Sequence, residues 1–153
     1  MWVRVDNRLV HGQVIEGWLP YTQATQLVVV NDELAGDFLR QQIMSLAVPR
    51  EIDVHFACLR DAASVVRGLS GEVFVLLETL QDAVAVAESG VAYDVLNIGN
   101  LHYAPGKRQV LPHVALSEED SAALRAAVTV HGMRLDFRAV PTQGVKVEQD
   151  DLF

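Results

Sequence analysis

Short apolar runs rich in β-branched residues alternate with amphipathic stretches of helical length along the chain. The segment from Gln26 to Asn31 is continuously apolar from Leu27 to Val30, which is typical of a strand buried on both faces. The pattern predicts strands at 1–5, 26–31, 52–57, 72–77, 94–99 and 134–140. It predicts helices at 13–21, 32–47, 60–69, 79–89 and 117–132, and an extended or hairpin stretch at 109–116.

This alternation predicts an α/β fold, with an open, mostly parallel sheet and helices on both faces. We expect a single domain over residues 1–153, with a polar, peripheral C-terminal tail from about residue 143. Two helix starts are specific enough to test. Asp32 is expected to cap a helix whose inner face approximates Leu34, Phe38, Ile43 and Leu46. Ser117-Glu-Glu-Asp120 has the form of a capping box.

Composition narrows the class of protein. Half of the 153 residues are hydrophobic, which is sufficient for one sizeable core. The net charge of −8 disfavours binding to nucleic acid or to an anionic membrane surface. The single cysteine excludes an internal disulfide and fits a reducing cytoplasm. No secretory segment or membrane span is evident, so we expect no direct membrane insertion and membrane association only through partners.

In an open parallel sheet, ligands bind at the carboxyl ends of the strands, so the loops after the strands are the places to search. The first such loop spans Asp6 to Gly12 and places His11 directly before a predicted helix. Histidine side chains have an ordinary pKa of about 6.5, so a neutral imidazole is available as a nucleophile near neutral pH. An isolated loop histidine is more often solvated or locally hydrogen-bonded, so the residues around it carry the argument.

Those residues suit phosphoryl transfer, which needs positioning and charge stabilisation. Arg8 offers a planar fork of donors matched to phosphate oxygens. Gly12 would let the backbone approach a phosphate closely, and the start of the following helix supplies free N–H groups. Asp6 is expected to hold Arg8 or to order the loop. We therefore single out His11, Arg8, Asp6 and Gly12 as the candidate site.

The segment from Arg4 to Val14, which reads RVDNRLVHGQV, resembles the phosphorylation loop of B components (EIIB) of the mannose/fructose/sorbose family. This family belongs to the bacterial phosphoenolpyruvate-dependent sugar phosphotransferase system. Further segments align in order over nearly the whole chain: Leu27–Glu33, Asn97–Leu101, Gly106-Lys107 with Val110, and Ser117–Asp120.

The resemblance implies a transferase of the protein-Nπ-phosphohistidine–sugar phosphotransferase type. An A component (EIIA), itself a phosphohistidine protein, would phosphorylate the δ nitrogen of His11. The phosphoryl group would then pass to a sugar bound by the membrane subunits EIIC and EIID, with Arg8 stabilising it in transit. It implies a cytoplasmic protein, peripheral at the inner membrane through its partner subunits. It leaves open the identity of the sugar and the oligomeric state.

Two alternatives remain at this point: a regulatory phosphocarrier with no transport role, and a non-catalytic interaction module. The loop around Gly99-Asn100 also departs from the family, because many relatives have two glycines after the asparagine, and here His102, Tyr103 and Pro105 follow. The sequence leaves open whether Asn100 or His102 touches the phosphoryl site.

Other residues receive structural interpretations. Cys58 is expected to be a buried, inert thiol, and His55 and His131 to be structural. Asp32-Glu33 is interpreted as a helix start rather than a metal-binding pair. The histidines show no metal-ligand spacing, and no dinucleotide fingerprint or P-loop is present, so we expect no metal and no cofactor.

Overall fold

The structure is a computed structural model that describes residues 1–147 and residue 152. Its strands are β1 (Trp2–Asp6), β2 (Gln26–Val30), β3 (Asp53–Ala57), β4 (Val73–Leu77), β5 (Val95–Asn100), β6 (Arg108–Leu111), β7 (Val114–Leu116) and β8 (Arg134–Asp136). Its helices are α1 (Leu19–Thr22), α2 (Asp32–Ala35), α3 (Phe38–Ala47), α4 (Ala62–Arg67), α5 (Leu80–Glu88) and α6 (Glu118–Thr129). A π-helical segment, Gln13–Trp18, leads into α1, and a 3₁₀ turn, Leu59–Asp61, leads into α4.

Six strands form one sheet in the order β3-β2-β4-β1-β5-β8, and every neighbouring pair is parallel. Strands β6 and β7 form a separate antiparallel hairpin around Pro112, as the extended stretch suggested. The predicted open parallel sheet is therefore confirmed. Because β1 lies between β4 and β5, the loop that follows it emerges near the middle of the sheet's carboxyl edge.

The period-two alternation of side chains divides the core into two layers. On β2, Val28 and Val30 belong to the layer that also contains buried residues of α4, α5 and α6. Leu27 and Val29 point to the opposite layer, with Val14, Trp18 and Leu34. Helices thus cover both faces of the sheet, and the segment after the first loop packs against the second layer.

The predicted helix at 32–47 is two helices, because the chain breaks at Gly36 and Asp37 caps α3 by accepting from the Arg40 N–H at 3.1 Å. The N-cap of α2 is Asn31 rather than Asp32. Its side chain accepts from the Leu34 N–H at 2.8 Å. The predicted inner face is wrong after Leu34: Phe38, Ile43 and Leu46 are exposed, by 73%, 59% and 87%. The break resets the phase of the helix, so only the first of the four residues faces the core.

The end of the chain also differs from expectation. Strand β8 stops at Asp136, and Phe137 to Val140 leave the sheet. The polar tail is not simply peripheral, because Leu152 is buried in the core and Val145 and Val147 pack against it. Within the described residues, no helix is long and apolar enough to cross a membrane.

Candidate functional site

The site is built on Asp6, a fully buried carboxylate at the end of β1. One oxygen contacts Nε2 of His11 at 2.7 Å and Nη2 of Arg4 at 3.0 Å. The other accepts from the backbone N–H of Arg8 at 3.0 Å. Burial alone would raise the pKa of Asp6, but the hydrogen bonds from His11 and Arg8 and the charge of Arg4 lower it below its ordinary value. Asp6 is therefore a carboxylate throughout the physiological pH range.

Arg4 lies beneath Asp6, and it is also fully buried. Its guanidinium donates to Asn97 Oδ1 at 2.6 Å and to the carbonyl oxygens of Arg138 and Ala139 at 3.3 and 3.0 Å. Burial lowers the pKa of Arg4 and the Asp6 charge opposes that shift. A buried ion pair of this kind needs such additional hydrogen bonds, because the attraction alone does not offset desolvation.

Gly99 on β5 leaves the room that Arg4 occupies. A Cβ atom at position 99 would overlap the Arg4 guanidinium carbon and both of its terminal nitrogens. The requirement for glycine here is a close approach, since the residue has no positive φ angle. Arg4, Asp6 and Gly99 together form the floor of the site, the buried layer on which the loop rests.

His11 is held by this floor in one orientation. A carboxylate can only accept, so the contact with Asp6 places the ring proton on Nε2 and leaves the lone pair on Nδ1. The Gln13 N–H donates weakly to Nδ1 at 3.3 Å, which points this nitrogen toward the start of the helical segment. The side chain is 15% exposed, so the ring reaches the surface of the protein.

Arg8 lies beside the histidine, with its side chain 38% exposed. Its Nε is 3.5 Å from an Asp6 oxygen, and its Nη2 donates to Gln13 Oε1 at 2.8 Å. With the Asn100 amide oriented to satisfy its neighbours, its oxygen accepts from Arg8 Nε at 2.9 Å and from His102 Nε2 at 2.8 Å. Asn100 and His102 therefore border Arg8.

Asn7 and Leu9 also hold the loop in place, whereas Gly12 is open to solvent. The Asn7 side chain donates to the Glu78 carbonyl at 2.9 Å and accepts from the His102 N–H at 2.7 Å, so it joins the ends of β4 and β5. Leu9 has φ +57° and is buried, which anchors the loop to the core in a backbone conformation that leucine rarely adopts. Gly12 is exposed, with φ −53° and open space where a Cβ would lie.

The structure thus brings Asp6, Arg8, His11 and Gly12 together in one loop at the carboxyl edge of the sheet. Sequence reasoning missed Arg4, Asn97, Gly99 and Gln13 as members of the site. The available signal for Arg4 was a cation within a predicted strand of a parallel sheet covered on both faces, where only a paired charge is tolerated.

The residues set aside as structural are placed mostly as expected. His55 Nε2 pairs with Gln26 Oε1 at 2.7 Å, away from the loop. The expectation of a buried thiol is wrong for Cys58, which is half-buried and whose Sγ contacts Asp61 Oδ2 at 3.1 Å. Asp32 accepts from the Leu59 N–H at 2.8 Å, which ties the start of α2 to the segment after β3.

Comparison with known proteins gives a consistent result. The model of the family described as the PTS system sorbose subfamily IIB component matches residues 1–153. The N-acetylgalactosamine-specific phosphotransferase enzyme IIB component 2 of Escherichia coli K12 is 32% identical over 142 residues, which cover 92% of this chain and 90% of that protein. The mannose-specific EIIAB component of E. coli K12 is 31% identical over 145 residues, which cover 91% of this chain and 44% of that protein. The crystal structure of the IIBSor domain of the sorbose permease from Klebsiella pneumoniae superposes with a TM-score of 0.89 at 29% identity, covering 99% of this chain and 96% of that one.

A parallel sheet that presents an oriented histidine beside an arginine at its carboxyl edge has the groups that transfer through histidine requires. The chain belongs to the sorbose subfamily of PTS IIB components. It is a phosphotransferase of sugar transport and works in a phosphotransfer chain with an A component and membrane components.

Proposed function

We propose that His11 carries the phosphoryl group, on Nδ1. The observation that supports this most directly is the 2.7 Å contact between Nε2 and Asp6, because it leaves Nδ1 as the ring nitrogen with a lone pair. The Gln13 N–H at the start of the Gln13–Trp18 segment lies next to that nitrogen, at 3.3 Å, and the N-cap residue Gly12 has no side chain to cap this start. Once Nδ1 carries the phosphoryl group, this N–H is available to a phosphoryl oxygen.

The transfer balances without a coenzyme. The Nδ1 lone pair of His11 attacks phosphorus on the phosphohistidine of the A component, and a new N–P bond forms. The N–P bond of the donor breaks, and its electron pair returns to the donor imidazole. The His11 ring then holds positive charge against its bound phosphoryl group, and the Asp6 carboxylate at Nε2 compensates for that charge.

Arg8 supplies the charge that the phosphoryl oxygens need during transfer. Its guanidinium is anchored at Nε by Asp6 and Asn100, and its Nη2 contacts Gln13, whose backbone N–H donates to His11. Gly12 leaves open space beside the histidine for a phosphate or a partner surface. Asp6 orders the loop and holds the histidine, which is a larger role than the loop ordering that its sequence position suggested.

The same proposal extends to the partners. The donor is a phosphohistidine A component, and the acceptor is a sugar bound by membrane subunits of the C and D type. The E. coli mannose relative bears the name EIIAB, and this chain matches only 44% of its length, consistent with a B component that meets its A component as a separate protein or domain. We place the protein in the cytoplasm, at the membrane through these partners.

The test is phosphoryl transfer from phosphoenolpyruvate through the general phosphotransferase proteins and an A component, read by intact mass. The wild type should gain one acid-labile phosphoryl group and His11→Ala should gain none. His131 lies beyond the end of α6, so His131→Ala is the matched control and should be phosphorylated normally. Arg8→Ala should slow transfer by about 10- to 100-fold, the range of a lost charged hydrogen bond. Arg8→Lys should restore only part of the rate, because an ammonium lacks the planar fork.

An unmodified but folded wild type, or a phosphorylated His11→Ala, would contradict the proposal. Phosphorylated protein should then transfer its group to sugar in vesicles that contain the membrane subunits. Normal phosphorylation with no sugar phosphate formed would instead favour a regulatory phosphocarrier.

A further inference from the structure

Gln13 contacts both groups on which phosphoryl transfer at His11 depends. Its backbone N–H donates to His11 Nδ1 at 3.3 Å. Its side-chain oxygen accepts from Arg8 Nη2 at 2.8 Å. Among the described residues, no other one forms hydrogen bonds to both His11 Nδ1 and Arg8 Nη2.

These are the two positions that a phosphoryl group on Nδ1 needs. The lone pair of Nδ1 becomes the N–P bond, so the Gln13 N–H loses its acceptor and must turn to a phosphoryl oxygen. The phosphoryl oxygens also require a guanidinium donor, and in this structure one N–H of Nη2 already donates to a neutral amide oxygen. A phosphoryl group that meets Arg8 on the Gln13 side competes with the Gln13 side chain for that N–H.

We propose that Gln13 is a positioning residue: while His11 is unphosphorylated, called here the empty state, the Gln13 side chain binds Arg8 in place of the phosphoryl group. It holds Arg8 over the loop before transfer and releases it to the phosphoryl oxygens afterwards. This inference rests on the proposed function of His11. Its consequence is that the contact between Arg8 and Gln13 stabilises the empty state and opposes the loaded one, which favours passing the group onward.

The experiment measures the equilibrium constant for phosphoryl exchange with the A component, using Gln13→Met, which keeps the length of the side chain and removes the acceptor. The constant should shift toward the phosphorylated B component by about 2- to 10-fold, the effect of losing one competing hydrogen bond. Gln13→Glu should shift it the other way, because a carboxylate binds Arg8 more strongly and repels the phosphoryl group. Gln42→Met, on the exposed side of α3, is the matched control and should leave the constant unchanged.

A double-mutant cycle identifies the mechanism. In an Arg8→Ala background, Gln13→Met should have no effect on the exchange constant, because its target is absent. The inference would be overturned, even if His11 is the carrier, if Gln13→Met left the exchange constant unchanged or shifted it toward the unphosphorylated protein. It would also be overturned if Gln13→Met caused the same shift in the Arg8→Ala background.

A second readout does not require phosphate. In the empty protein, nitrogen NMR of the Arg8 guanidinium should show faster side-chain motion in Gln13→Met than in wild type, while the His11 ring keeps its proton on Nε2. An Arg8 side chain that is equally ordered in both would also overturn the inference. A failure of His11 phosphorylation itself would appear in the wild type, so the two failures are distinguishable.

Discussion

The helical segment after β1 and helix α6 begin in opposite ways. At α6, the Ser117 side chain accepts from the Asp120 N–H, and the Asp120 side chain accepts from the Ser117 N–H, both at 3.0 Å. At the segment that starts at Gln13, Gly12 occupies the N-cap position and has no side chain to act as a cap, and the Gln13 N–H donates only weakly, at 3.3 Å, to His11 Nδ1. The first start satisfies its own polar groups, and the second leaves them for a ligand.

Three other helices follow the pattern of α6. The side chains of Asn31, Asp37 and Thr79 cap α2, α3 and α5. Helices α1 and α4 also lack a side-chain cap, but each of them continues a preceding helical turn. The uncapped start beside His11 follows a loop instead, and it lies at the proposed site. The uncapped start is tolerated because the loop before it is held from below by Asp6 and Arg4, so stability is supplied by buried groups rather than by a cap.

The largest effect is expected from removing that support. Gly99→Ala would force the Arg4 guanidinium away from Asp6 and Asn97. We expect a loss of about 3–5 kcal/mol in the free energy of unfolding, the range for breaking a buried ion pair. Denaturant unfolding measures this loss, and phosphorylation of the remaining folded protein should fall sharply.

Gly144→Ala is the control for the cost of the methyl group itself, since open space surrounds that glycine and its φ is not positive. It should change the free energy of unfolding by less than about 0.5 kcal/mol, as for most surface changes. If Gly99→Ala and Gly144→Ala lowered the free energy of unfolding equally, the floor of the site would not support the loop.

Adding a cap where one is missing should reduce activity. Gly12→Asp places a carboxylate beside the free N–H groups without a steric clash, because nothing lies within 4 Å of a Cβ there. It should compete with the phosphoryl group for those donors and repel it, slowing phosphorylation by about 10-fold, since like charges at this spacing repel by on the order of 1–2 kcal/mol. The rate is measured by mixing each variant with the phosphorylated A component and quenching the reaction at successive times.

Gly12→Asn separates charge from size in that experiment. It offers a similar side chain without the negative charge, so it should slow phosphorylation less than Gly12→Asp. If both variants retain the wild-type rate, the uncapped start has no part in binding the phosphoryl group.

Removing the cap of α6 should give the smallest effect. Ser117→Ala deletes one half of the capping box and should lower the free energy of unfolding by about 1 kcal/mol. Thermal unfolding should show a decrease of about 2–4 °C in Tm for a chain of this size. Phosphorylation should be unchanged, and a slower rate would mean that α6 contributes to the site.

The sequence predicted local features well where the signal itself is local. The capping box at Ser117 and the position of the loop after β1 both follow from short-range patterns. The exposed face of α3 was predicted wrongly, because the hydrophobic pattern was assigned to one continuous helix over residues 32–47. That pattern does not show that the helix ends before Gly36 and that a new helix begins at Phe38 with a different face toward the core. Asp37 is a residue type that favours the N-cap position, and it caps α3 by accepting from the Arg40 N–H. The prediction followed the hydrophobic pattern and did not use this residue.

The candidate site shows the same limit over longer distances. Asp6, Arg8 and His11 lie within six residues of one another, so their proximity could be predicted. The placement of Arg4 depends on partners more than 90 residues away, on β5 and after β8. No spacing rule connects those segments before the sheet order is known.

The two carbonyl groups that hold Arg4 belong to Arg138 and Ala139, which follow it by 134 and 135 residues. A ribosome must therefore translate past residue 139 before all of the hydrogen bonds to Arg4 can form. A chain that ends before residue 138 contains His11 and Asp6 but lacks the groups that fix their support. Ordering of the loop that contains His11 is in this sense a late event of folding, because it requires that β8 and the residues after it have packed.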